Sequence, residues 1–119
     1  MVIALLIIQG ILGLLFIVTG SFKFFKSREE IIASGGTWAE DVKPGVVKII
    51  AFMEMVGGLA NIAGLFARQI GILTISGAVV IAIIMISAIY THLSRKEWRH
   101  ALINSVFLVM AGLVIFGKL

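Results

Sequence analysis

The chain has 119 residues, 61% hydrophobic and 13% charged, with a net charge of +4. A soluble domain carries about a quarter charged residues, so a mean hydropathy of +1.16 predicts an integral membrane protein. The lack of cysteine excludes a disulfide, a CxxC redox pair, a thiolate nucleophile and an iron–sulfur cluster. The basic balance fits loop ends on anionic lipid rather than nucleic acid, which is not expected as a partner.

The predicted fold is all-α: a four-helix transmembrane bundle forming one domain over residues 1–119, with a short interfacial helix between the first and second spans. The first apolar run, residues 2–22, is near the roughly 20 residues needed to cross hydrocarbon. It has no basic n-region and no small-x-small cleavage site, so it reads as a span and not as a signal peptide. A long connection follows, residues 23–43. In it Ser27 and Glu30 have capping-box spacing, and Gly35–Gly36 supply a stop. Phe24, Phe25, Ile31 and Ile32 are expected to lie on the membrane, with Lys26, Arg28 and Glu29 in water. Trp38 falls where an aromatic belt belongs.

The second span is predicted over residues 44–67, with Pro44 in the first turn, where its missing N–H needs no acceptor. The third covers residues 69–93 and the fourth residues 100–117, joined to their neighbours by short links. Lys23, Lys26, Arg28, Lys43, Lys48, Arg95, Lys96 and Arg99 fall at one end, against Arg68 and Lys118 at the other. Eight against two predicts that loops 23–43 and 94–99 are cytoplasmic and both termini outside.

Glu54 poses the chemical question. Ten residues beyond Pro44, it lies about 15 Å deep, where an exposed charge costs at least a few kcal/mol. It is therefore expected to face the bundle interior, paired or protonated. Ala51, Glu54, Gly58, Asn61 and Leu65, with Gly57 and Gly64 beside them, form a small, polar face suited to close helix contact. Lys23, His92, Ser87 and Asn104 approach from the same end. Gln9 and Asn61 share a more distant layer, where an amide–amide bond between the first two spans is expected. The candidate catalytic residues are Glu54, His92 and Lys23; the candidate ligand-binding residues are Trp38, Asp41, Asn61, Asn104 and Ser87. The bland readings are a snorkelling Lys23, an inert interfacial His92, amides serving as packing glue, and a Glu54 held in a structural ion pair. His92 and His100, eight apart with no carboxylate at ligand spacing, argue against a metal site.

"GSFKFF", then "TWAEDVKPGVVKIIAFMEMVGGLANIAGLF", then "SAIYTHLSRKE" resemble the DoxX-like family of small four-span membrane proteins of prokaryotes. The resemblance covers almost the whole chain and rests on Trp38, Glu40 and Asp41 before the second span, on Lys48, Glu54 and Gly57, and on the "THL" closing the third. It implies a multi-pass protein of the cytoplasmic membrane. One member of the wider family is a subunit of a thiosulfate:quinone oxidoreductase, and others are linked to oxidative-stress complexes. The resemblance thus points to an accessory subunit of a membrane oxidoreductase binding a quinone or other lipid-soluble ligand, with electrons supplied by a partner. The alternatives are a proton-coupled carrier acting as a homo-oligomer, since one chain is too short for two inverted halves, and a non-catalytic membrane scaffold. Fold alone does not transfer a reaction, and whether the protein is an enzyme stays open at this stage.

Overall fold

A computed structural model describes residues 2–34, 37–67, 69 and 71–118, with the side chain of Asp41 outside the description. Five α-helices run through it: α1 (Val2–Phe25), α2 (Arg28–Ala33), α3 (Pro44–Phe66), α4 (Gly71–Ser94) and α5 (Trp98–Lys118), with a 3₁₀ helix at Thr37–Asp41 between α2 and α3. Among the described residues, α1, α3, α4 and α5 are long and apolar enough to cross a membrane. They close a ring in the order α1, α3, α4, α5, each lying against the next and α5 returning to α1.

Each long helix buries one narrow stripe and leaves the rest apolar and exposed, as helices surrounded by lipid do. On α1 the stripe is Gln9, Leu12, Gly13, Phe16 and Gly20. On α3 it is Val47, Ala51, Glu54, Gly57, Gly58, Asn61 and Gly64, the small, polar face expected above, except that Leu65 is only half-buried. The glycines set the helix spacing. A Cβ on Gly58 would stand 2.5 Å from the Gly13 carbonyl oxygen, and one on Gly77 would stand 2.7 Å from that of Gly57. No side chain fits there, so α3 is wedged against α1 on one side and α4 on the other. Leu12, Phe16, Ala78, Ile81, Met85, Ala111 and Val114 fill the centre, with Phe16 edge-on to Phe107 at 5.6 Å.

Three features depart from expectation. Helix α1 runs to Phe25 rather than residue 22, because Lys48 of α3 caps it: its Nζ donates to the carbonyls of Phe24 and of Lys26, the latter at 2.8 Å. A cation on the last carbonyls favours the negative end of the helix dipole. Helix α5 starts at Trp98 rather than residue 100. The turn before it is a Schellman closure, with Lys96 at φ 60°, Glu97 N–H donating to His92 C=O at 2.8 Å and Lys96 N–H to Leu93 C=O at 3.1 Å.

The third departure concerns the long connection. Ser27 and Glu30 form the capping box, the Glu30 N–H donating to Ser27 Oγ at 3.1 Å and the Ser27 N–H to Glu30 Oε1 at 3.2 Å. The Ser27 N–H is the main cause that holds the Glu30 carboxyl below its ordinary value. Helix α2 ends at Ala33 with Ser34 as its cap; the expected Gly35–Gly36 stop lies outside the described residues. Ile31 does not lie on the membrane. It is buried with Ala39 and Val47, with Ile32, Trp38 and Val42 packed around them. Arg28 does not simply face water either: its Nε donates to Ala39 C=O at 2.9 Å and its Nη2 to Glu40 C=O at 2.7 Å. Phe24 and Phe25 belong to α1. The connection is thus folded onto the start of α3, with Trp38 carried by it.

Candidate functional site

Glu54 is 1% exposed, and both of its oxygens are met by α1. Lys23 Nζ lies 2.8 Å from Oε1, and Thr19 Oγ1 donates to Oε2 at 3.3 Å. Thr19 and Lys23 are four apart on one helix and so share a face. The lysine stem runs inward from the end of α1, and its ammonium also stands 5.3 Å from the centroid of the Trp38 ring, within cation–π range. Sequence depth alone offers Glu54 no cation at its own level; Lys23 reaches it because the last turn of α1 continues past the expected boundary.

The pair lines a cavity of about 280 Å³. Its walls are Ile50, Met53 and Glu54 of α3 and Ile83, Ile84, Met85, Ser87, Ala88, Thr91 and His92 of α4, completed by Lys23, Trp38 and Asn104. Six of the eight residues singled out in the sequence therefore meet here: Glu54, Lys23, His92, Trp38, Ser87 and Asn104. Asp41 ends the 3₁₀ helix, and its side chain lies outside the described residues. Asn61 does not line the cavity. It is fully buried, with its Nδ2 donating to Gly57 C=O at 3.0 Å. The expected amide–amide bond to Gln9 is replaced by a different bridge: Gln9 Nε2 donates to the backbone carbonyl of Asn61 at 2.8 Å and to Thr74 Oγ1 at 3.1 Å. The close approach at Gly58 and Gly13 brings α3 backbone, rather than a second side-chain amide, within reach of Gln9.

His92 is buried but does not serve Glu54. Its Nδ1 stands 2.8 Å from Glu97 Oε1, while Glu97 Oε2 accepts from Thr37 Oγ1 at 2.9 Å. The contact with His92, ahead of Thr37 and Arg95 and against the effect of burial, holds the Glu97 carboxyl below its ordinary value. It is ionised at neutral pH and can only accept. Nδ1 of His92 therefore carries the proton, and Nε2 is the ring nitrogen left for the cavity. His100 stacks on the His92 ring at 5.0 Å. Arg95 bonds Glu40 at 3.4 Å, a second tie between the 3₁₀ helix and the α4–α5 turn. No group of three His, Asp or Glu suited to a metal ion occurs among the described residues.

Thr19, Thr37, Thr74 and Glu97 escaped the sequence reading, and Lys48 figured in it only as a topological charge and as part of the family resemblance. Thr19 had a signal, four residues before Lys23. Thr74 was visible as a hydroxyl near the depth of Gln9. Glu97 had none, because only the left-handed Lys96 turns its carboxylate back onto His92.

Four helices long and apolar enough to cross a membrane, closed around a buried ion pair and a mainly apolar cavity, define a small polytopic membrane protein. The sequence profile of the DoxX-like family matches residues 7–114, and the chain belongs to that family. No protein of curated function and no solved structure matches it.

Proposed function

We propose that the chain binds the headgroup of a quinone-type, lipid-soluble molecule at Lys23 and Glu54 and serves a membrane oxidoreductase as a ligand-binding subunit. The observation that carries this is the Lys23–Glu54 pair lining a cavity whose other walls are mainly apolar. Lys23 has three donors and gives one to Glu54, so a quinone carbonyl can accept another. A quinol hydroxyl can in turn donate to Glu54. Nε2 of His92 offers a second proton acceptor, oriented by Glu97 as a carboxylate orients a histidine in many sites. The chain has no cysteine, and in this reading electrons come from a partner protein.

The site lies at the end that carries the basic loops, placed in the cytoplasm by the positive-inside count, with the cytoplasmic membrane of a prokaryote as the setting. The carrier reading would use Glu54 as its coupling carboxylate but also needs a homo-oligomer, and the scaffold reading draws on no cavity chemistry. The test is quenching of Trp38 emission by a quinone analogue in detergent, on a Trp98→Phe background. The wild-type site saturates, and Lys23→Met or Glu54→Gln weakens binding at least tenfold. Quenching that never saturates, or that ignores both substitutions, removes the proposal.

A further inference from the structure

Small-molecule sites run from about 300 to 1,000 Å³, so a cavity of about 280 Å³ takes a headgroup and cannot enclose a long tail. Where the rest of such a molecule goes is set by which lining residues also reach the outer surface. Met53 on α3 is 40% exposed and Ile83 on α4 is 58% exposed, and Ser87, one turn from Ile83, is exposed as well. All three line the cavity. The wall between α3 and α4 is therefore open on the outside of the bundle. Farther along, the same two helices are locked together at Gly57 and Gly77, so the opening is confined to the half of the bundle that holds Glu54.

Its depth identifies what it faces. Met53 lies nine residues from the start of α3 and Ile83 eleven from the end of α4, or about 13 and 16 Å at 1.5 Å per residue. That is the level of acyl chains in a hydrocarbon core about 30 Å thick. At the basic-loop end, by contrast, the cavity is lined by Trp38, whose 3₁₀ helix is held by the Thr37–Glu97 and Glu40–Arg95 contacts.

We infer that the ligand enters and leaves sideways, between α3 and α4, and that it is an amphiphile whose single long apolar tail stays in the bilayer through the gap at Met53, Ile83 and Ser87. This rests on the headgroup reading above and adds the route and the tail. Access from lipid rather than water selects for tailed molecules, because the membrane concentrates them and holds the tail at the level of the gap.

The test compares equilibrium binding of a quinone with a long isoprenoid tail and of the same headgroup without a tail, using protein in lipid nanodiscs. Ser87→Phe narrows the gap at its edge; Ile86→Phe, an exposed α4 position off the cavity lining, is the control. The expected result is a loss at least tenfold greater for the tailed molecule than for the tail-less one in Ser87→Phe, with the Ile86→Phe control unchanged for both. Equal loss of both molecules, or loss of neither, overturns the sideways route while leaving the headgroup site standing. Failure of both to bind the wild type overturns the headgroup reading and this one with it.

Discussion

Lys23 Nζ and Glu54 Oε1 stand 2.8 Å apart, the acid fully buried and the lysine 24% exposed. The two charges come from opposite ends of the argument about depth: one sits near the middle of α3, the other at the end of α1. Their meeting makes the carboxylate tolerable in the bundle, and it leaves the lysine enough freedom to answer a ligand. The pair is also what a purely structural role for Glu54 requires, so function and stability have to be separated by substitution.

Glu54→Gln keeps the shape and an acceptor for Lys23 and Thr19, so it should cost only about 1–3 kcal/mol and leave a folded protein without ligand binding. Glu54→Leu strands Lys23 and the Thr19 hydroxyl, and should unfold more readily. Breaking one side of a buried pair costs about 3–5 kcal/mol, moderated here because Lys23 can turn toward water. Thermal midpoints in detergent check the order. A Gln variant as unstable as the Leu variant would make Glu54 a core charge and nothing more.

Gly58→Leu should cost at least about 1–3 kcal/mol, because even a Cβ there meets the Gly13 carbonyl and the Ile17 backbone. Leu59, 56% exposed, should accept isoleucine with little change. Equal tolerance at both sites, measured by unfolding in mixed micelles, would mean that α3 is rotated from the position described.

Lys48→Met should lower stability by about 1–2 kcal/mol and loosen the last turn of α1, since it removes the donor from the Phe24 and Lys26 carbonyls. Hydrogen exchange at the end of α1 should accelerate while the middle of α1 does not. Unchanged protection at Phe24 to Lys26 would leave Lys48 as a topological charge.

Glu97 predicts an acid limit. Its carboxyl is held below the ordinary value of 4.5, first by His92 and then by Thr37 and Arg95. A depressed folded pKa contributes stability that is complete above the ordinary value and lost as pH falls through the folded one. The wild-type midpoint should therefore drop as pH falls below the ordinary carboxyl value of 4.5, more steeply than that of Glu97→Gln. Parallel curves would show that the carboxylate does not tie the 3₁₀ helix to the α4–α5 turn.

Cysteines introduced at Ser27 and Ser94 should react with an impermeant maleimide only in opened cells, given the eight basic residues at their end of the bundle. Labelling of both in intact cells would invert the orientation.

The four spans and the polar face of α3 were legible because length, hydropathy and three-to-four spacing are local. The convergence of Glu54, Lys23, His92 and Asn104 on one end followed from counting residues into each span. What escaped depended on a turn or on another helix. The α1 boundary is set by Lys48, which comes from α3. Glu97 reaches His92 only through the positive φ of Lys96, which lysine rarely adopts. Ile31 looked like a membrane anchor because its partners Ala39 and Val47 lie eight and sixteen residues away. The Gln9 bridge used a backbone carbonyl, which no side-chain pattern can announce.

The most direct test is a density map of the protein extracted with its native lipid and supplied with a long-tailed quinone. The account predicts headgroup density within hydrogen-bond reach of Lys23 Nζ and Glu54, with the tail leaving between Met53 and Ser87 into the lipid. A cavity occupied only by water, or by an acyl chain with no polar atom at Lys23, would contradict it.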